Sequence, residues 1–204
     1  MTKRWRFTRN PHAVAALVLA FGIMMATVAA ARAAANELPW DRVAAGGHVI
    51  LLRHAIAPGT GDPPDFELGE CSTQRNINDA GREQAERIGQ RLRQAGLDGA
   101  PVFTSQWCRC QQTASELGLG KPQLLEALNS FYGRWAEREQ RVQALTAFLA
   151  ERHEGPTAIL VTHQVNITAV TDIFPESGEA IVADIHGDGS LEVVGTMTTS
   201  PPSQ

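Results

Sequence analysis

The sequence predicts an α/β fold, a sandwich built on a mainly parallel sheet, from three observations. Short apolar runs, rich in β-branched residues, occur near residues 48–52, 101–104 and 157–162. Between them lie segments whose apolar residues recur at helical spacing. Strand-like and helix-like stretches alternate, which is the pattern of parallel strands joined by helical crossovers.

Taken in order, Gly46-Gly47 introduces His48-Val-Ile-Leu-Leu52, which ends abruptly at Arg53-His54 and a Gly/Pro-rich stretch over residues 58–64. This reads as a buried strand emptying into a loop. Asn78 is a suitable N-cap for a helix carrying Ala85, Ile88, Leu92 and Ala95, stopped by Gly96. Pro101-Val-Phe-Thr104 is a second strand, with Ser105 placed to cap a helix running through Leu117. Val142, Leu145, Phe148 and Leu149 mark a helix over about residues 136–152, followed by the strand Thr157-Ala-Ile-Leu-Val-Thr162 and a short helix over 165–171. Residues 178–196 read as two strands turning at Gly187-Asp-Gly189.

The 204 residues are 43% hydrophobic and 20% charged, a globular composition that excludes disordered, collagen-like and polytopic membrane classes. Of the 18 basic residues, Lys3, Arg4, Arg6, Arg9 and Arg32 fall in residues 1–35 with no acid, leaving 13 basic against 22 acidic in the rest. A body with that acidic excess has no electrostatic footprint for nucleic acid. Residues 1–12 are basic, residues 13–31 are mostly apolar, and Ala31-Arg32-Ala33 and Ala33-Ala34-Ala35 follow. This is the layout of a secretory signal peptide over residues 1–35, the alternative being an uncleaved anchor. The expectation is a single domain over 36–204, periplasmic or secreted, without stable membrane insertion after cleavage. Export favours disulfide pairing among Cys71, Cys108 and Cys110, with one thiol left over.

In a doubly wound sheet, ligands bind beyond the carboxyl ends of the parallel strands. Here those ends are followed by Arg53-His54, by Ser105 with Arg109, and by His163. Guanidinium forks match phosphate oxygens in pairs, the helix after Ser105 offers N–H donors, and a neutral imidazole can attack phosphorus. The pattern expects a phosphate on this rim and a covalent phosphohistidine.

Four stretches together carry a resemblance: Leu51-Leu-Arg53-His54-Ala55, Asn78-Asp-Ala-Gly81-Arg-Glu-Gln84-Ala85, Thr104-Ser105-Gln-Trp-Cys-Arg109-Cys-Gln-Gln-Thr113-Ala114 and Val161-Thr162-His163. In this order, across about residues 47–170, they resemble the histidine phosphatase superfamily, the phosphoglycerate-mutase-like fold. The resemblance implies a three-layer α/β sandwich with helices on both faces and a phosphatase that needs neither cofactor nor metal. It implies His54 as nucleophile, Arg53, Arg109 and His163 as phosphoryl ligands, and Ser105 and Thr113 as supports of the pocket, Ser105 counted with the phosphate-binding set. Ala55 stands where many members have Gly. The acid of the phytase-like branch is replaced by Gln164, and the mutase-like Leu-Asn-Glu is replaced by Leu128-Asn129-Ser130. Glu126 is therefore the expected proton donor, with Asp62 or Asp65 next. The family pattern also implies an outward residue just before Arg109 and a small buried one after it, hence a Cys71–Cys108 bridge with Cys108 exposed and Cys110 a buried thiol.

His48, His153 and His186 are read as structural or solvated. Arg82, Arg87, Arg91 and Arg93 form a solvated helix face. Arg75 reaches either the substrate or a surface acid, and residues 59–64 form a shaped loop at the pocket mouth. The expected activity is an exported phosphomonoesterase on a small phosphorylated substrate such as a lipopolysaccharide core heptose phosphate. The alternatives are a protein-phosphohistidine phosphatase and a non-catalytic phosphate- or phosphoglycan-binding module.

Overall fold

A computed structural model of the protein describes residues 38–198. The expected leader, residues 1–35, lies outside the described residues. A short helix α1 (Trp40–Ala45) leads into β1 (His48–Arg53), followed by α2 (Asp79–Gln94), β2 (Val102–Thr104), α3 (Cys108–Glu116) and β3 (Gln123–Leu124). After two 3-10 turns come α4 (Arg138–Ala150), β4 (Ala158–Thr162), α5 (Gln164–Thr171) and the strands β5 (Ala180–Ile185) and β6 (Leu191–Met197).

The six strands form one sheet in the order β3-β2-β4-β1-β5-β6. β1, β2, β3 and β4 are mutually parallel, and β5 runs antiparallel to both β1 and β6. Five strands thus share one direction, as expected, and the hairpin at residues 187–189 adds the reversed one. The short helix α1 and the two-residue strand β3 were not legible in the sequence. Both are too short to show a period.

The three-layer arrangement follows from the two-residue period of a strand. In β1, Ile50 and Leu52 pack with Val43, Ile88, Leu92, Ala114 and Leu117, under α1, α2 and α3. Val49 and Leu51 face the other way, with Leu128, Leu145, Leu149 and Ile167 under α4 and α5. Both faces being covered explains why the strand reads as an unbroken apolar run. The Asn78 side chain caps α2 by accepting from Gly81 N–H at 2.9 Å. At Gly81, a Cβ would lie 2.3 Å from the Ile56 carbonyl oxygen, so only glycine lets α2 pack against the chain just after His54.

Candidate active site

Strand register assembles the site. Arg53 pairs with Thr162 across β1 and β4, and Thr104 pairs with Val161 across β2 and β4. The ladder continues one residue further, with His54 N–H donating to Thr162 O and Ser105 N–H to Val161 O, both at 3.0 Å. His54, Ser105 and His163 therefore leave three adjacent strands side by side. Arg109, in the first turn of α3, turns its guanidinium into the same space. The resulting pocket is lined by Arg53, His54, Arg75, Arg109 and His163, with Ser130, Tyr132 and the 59–62 loop forming its wall.

The His54 ring lies with Nδ1 2.8 Å from the carbonyl oxygen of Ala55. A carbonyl only accepts, so Nδ1 carries the proton and Nε2 keeps its lone pair. Burial first, and the Arg109 guanidinium second, push the pKa of this imidazole down to about 3, against the opposing Ala55 bond. The ring is neutral at neutral pH, the state a nucleophile needs.

His163 has the opposite tautomer. Its Nδ1 lies 3.3 Å from Arg109 Nη2, a pure donor, so the proton sits on Nε2 and is donated to Ser105 Oγ at 2.9 Å. Ser105 in turn donates to Asn129 Oδ1 at 3.2 Å. The Asn129 amide is fixed by accepting from Gln106 N–H at 2.9 Å and donating to Gln106 Oε1 at 2.7 Å. Burial, then Arg109, hold the His163 pKa well below its ordinary value. The centroids of the two imidazoles are 5.7 Å apart, edge to face.

Thr113 ties two motifs together: its hydroxyl donates to the Arg109 carbonyl at 2.7 Å and accepts from Ala55 N–H at 3.0 Å. Gln84 accepts from Ile56 N–H and donates to Ser177 O. Arg53 donates to Pro175 O at 2.9 Å, and the buried Nε atoms of Arg53 and Arg109 have no protein partner. Buried guanidinium donors without acceptors, beside a bare imidazole nitrogen, suit an anion with several oxygens.

Residues 49–140 match the family model described as histidine phosphatase superfamily (branch 1). The chain is thus similar to the histidine phosphatase superfamily over a little under half of its length. Among curated proteins it is 36% identical over 67 residues to the mitochondrial serine/threonine-protein phosphatase Pgam5 of Drosophila grimshawi, and 37% to that of Drosophila virilis. Each match covers 33% of this chain and 20% of the relative, so it spans about a fifth of those proteins. Among solved structures, the open reading frame Rv3214 of Mycobacterium tuberculosis aligns with a TM-score of 0.55 at 18% identity, covering 72% of this chain and 94% of that one. A putative phosphohistidine phosphatase SixA from Agrobacterium tumefaciens aligns with a TM-score of 0.52 at 18% identity, over 75% and 97% of the two chains. These likenesses show the fold.

Within this histidine phosphatase fold, Arg53, His54, Arg109 and His163 come together as expected, and Arg75 joins them. Its Nε donates to Gly61 O at 2.7 Å and a second nitrogen to Ala57 O, so it staples the 57–62 loop to the pocket instead of reaching a surface acid. His48 is structural as read, its Nε2 lying 2.7 Å from Asp184.

Three expectations are corrected. Glu126 is not in the pocket: the 3-10 turn Glu126–Leu128 buries Ala127 and Leu128, sends the carboxylate out 71% exposed, and pairs it with Arg141 at 2.7 Å. Ser105 neither caps α3 nor lines the pocket. Trp107 is the N-cap, and the wholly buried Ser105 hydroxyl positions His163 instead of contacting phosphate. The Cys71–Cys108 bridge is formed and Cys110 is a buried free thiol, yet Cys108 is not exposed but 1% accessible. It faces the 3-10 turn Cys71–Thr73, while burial pushes the Cys110 thiol up to about 12.

Sequence reasoning missed Asn129, Ser130 and Tyr132. The only available signal was a polar pair after Leu128 where a buried strand–helix connection would be apolar.

Proposed function

We propose that this chain is an exported phosphomonoesterase that forms a phosphohistidine on His54 and acts on phosphorylated envelope sugars, such as a lipopolysaccharide core heptose phosphate. The observation that carries the reading is the His54 ring, with Nδ1 committed to Ala55 O and Nε2 bare in a pocket of three arginines. Arg53 and Arg109 hold the phosphoryl oxygens in this reading, with His163 orienting the Arg109 guanidinium, and guanidinium charge supplies without metal the electrostatic stabilisation that phosphoryl transfer needs.

Export is supported by the basic and apolar character of residues 1–31 with the following small residues, and by the Cys71–Cys108 bond, since disulfides persist in oxidising compartments. Among the described residues no helix is long and apolar enough to cross a membrane. A ring-bearing leaving group is supported by Tyr132, which lines the pocket while 49% exposed, and by Trp135, whose centroid lies 5.8 Å away and extends the aromatic face. Sugars lay their apolar faces on such surfaces.

The experiment is a screen of the purified mature chain, with a chelator present, against p-nitrophenyl phosphate, sugar phosphates, inositol phosphates, nucleotides and a phosphohistidine protein. The reading expects turnover of p-nitrophenyl phosphate and preference for a sugar phosphate. A preference for the phosphohistidine protein favours the alternative activity, and binding without turnover favours a non-catalytic module. N-terminal sequencing of exported protein tests cleavage near Asn36.

A further inference from the structure

The only carboxylate lining the pocket, among the described residues, is Asp62. The 59–62 loop carries it inward through Gly59 and Gly61, whose φ values of 94° and 69° only glycine adopts readily, and Arg75 pins that loop through the carbonyls of Gly61 and Ala57. Asp62 Oδ1 accepts from Arg109 Nη1 at 2.8 Å, and Oδ2 accepts from the buried Trp107 Nε1 at 3.0 Å. Its side chain is 16% exposed. The charged and titratable groups around it are Arg109 on α3, Arg134 at 4.0 Å from the 131–135 turn, Arg75, and the two imidazoles and Arg53 on the pocket floor.

Arg109 therefore holds an internal anion at the place where a phosphoryl oxygen would bind. An incoming phosphoryl dianion competes for that guanidinium. If it wins, Asp62 has exchanged a cation for an anion as its nearest neighbour, at the pocket wall and still held by the bond from Trp107 Nε1.

We propose that Asp62 is the general acid of this enzyme, protonating the leaving oxygen in the first step and taking the proton of the attacking water in the second. The proposal rests on the phosphohistidine reading above. In the first step the Nε2 lone pair of neutral His54 forms the N–P bond, the P–O bond to the leaving group breaks, and the alkoxide takes the Asp62 carboxyl proton. This leaves an alcohol, a phosphohistidine whose proton stays on Nδ1, hydrogen-bonded to Ala55 O, and the Asp62 carboxylate. Water then forms the new P–O bond and gives one proton to Asp62. The N–P bond electrons return to the imidazole, releasing hydrogen phosphate and regenerating neutral His54 and protonated Asp62.

The test compares the wild type with Asp62→Asn on p-nitrophenyl phosphate, whose leaving group needs no proton, and on an alkyl phosphate such as glucose 6-phosphate. Asparagine keeps the shape of the side chain and one acceptor, enough for Arg109 or Trp107 but not for both. The expected result is a fall in kcat of about 10²- to 10⁴-fold for the sugar phosphate and less than about 10-fold for p-nitrophenyl phosphate. The fall of wild-type kcat at high pH on the sugar phosphate should also vanish in the variant. Equal effects on both substrates, or an unchanged pH profile, would overturn the assignment and leave the phosphohistidine reading standing. That reading fails separately if the wild type does not turn over p-nitrophenyl phosphate or if His54→Ala retains that turnover. A series of aryl phosphates on the wild type needs no variant: rates nearly independent of leaving-group basicity support a proton donor, and a steep dependence contradicts one.

Discussion

His54 donates its Nδ1 proton to the carbonyl of Ala55, the residue that follows it, at 2.8 Å. The proposed nucleophile is thus held in one tautomer by its own backbone, and the fold adds the burial that keeps it neutral. kcat/KM reports the ionisation of the free enzyme. With the pKa of His54 held down to about 3, kcat/KM for p-nitrophenyl phosphate should show no loss near pH 6.5 attributable to the nucleophile, once the ionisation of the substrate is corrected for. Rates measured between pH 4 and pH 8 check this. An acid limb centred near 6.5 that disappears in no other histidine variant would contradict it.

The same burial makes the fold acid-sensitive. A histidine with a folded pKa of about 3 stays neutral in the native state, while the unfolded chain takes up a proton below about 6.5. The unfolded state then binds more protons, so stability is full above that value and falls as pH drops toward 3. His54 alone contributes a slope of up to ~1.4 kcal/mol per pH unit inside this window, and His163 acts in the same direction. Urea unfolding at pH 7 and pH 5 should show the loss, and His54→Asn should reduce the slope.

The disulfide joins the loop that carries Asp62 and Arg75 to the turn of α3 that carries Arg109. Its cysteines are 37 residues apart in sequence, and the unfolded-chain constraint for such a loop is worth about 4 kcal/mol. Cys71→Ser or full reduction should lower the unfolding free energy by an amount of this order. Cys110→Ser, by contrast, should leave the bridge intact in a non-reducing peptide map. A map joining Cys71 to Cys110 would reverse the assignment.

Tyr132 is expected to set affinity for the leaving group without touching the phosphoryl chemistry. Tyr132→Ala should raise KM for a sugar phosphate about 3- to 10-fold, the scale of one aromatic contact, and leave inhibition by inorganic phosphate unchanged. An equal loss for both ligands would place Tyr132 in the phosphoryl site instead.

The sequence made the floor of the site legible because the residues at its strand ends follow apolar runs that announce where they stop. Leu52, Thr104 and Thr162 end such runs, and Arg53, His54, Ser105 and His163 follow directly. The pocket wall was not legible for the opposite reason. Residues 125–137 make two tight 3-10 turns with no period, so sequence position could not say that Glu126 turns outward while Ser130 and Tyr132 turn in. The role of Ser105 escaped for a related cause. A serine before a helix reads as a cap, and only the fold shows the buried His163 waiting for its hydroxyl. Asp62 lies 47 residues before Arg109, a distance that only a folded loop closes.

The account turns on a covalent intermediate at His54, and rapid quenching during turnover of a labelled phosphomonoester tests it most directly. The account predicts an acid-labile, base-stable phosphoryl group on the wild-type protein, mapped to the peptide containing His54 and absent with His54→Ala, in the presence of a chelator. A label that persists in that variant, or one that maps to His163, would contradict it.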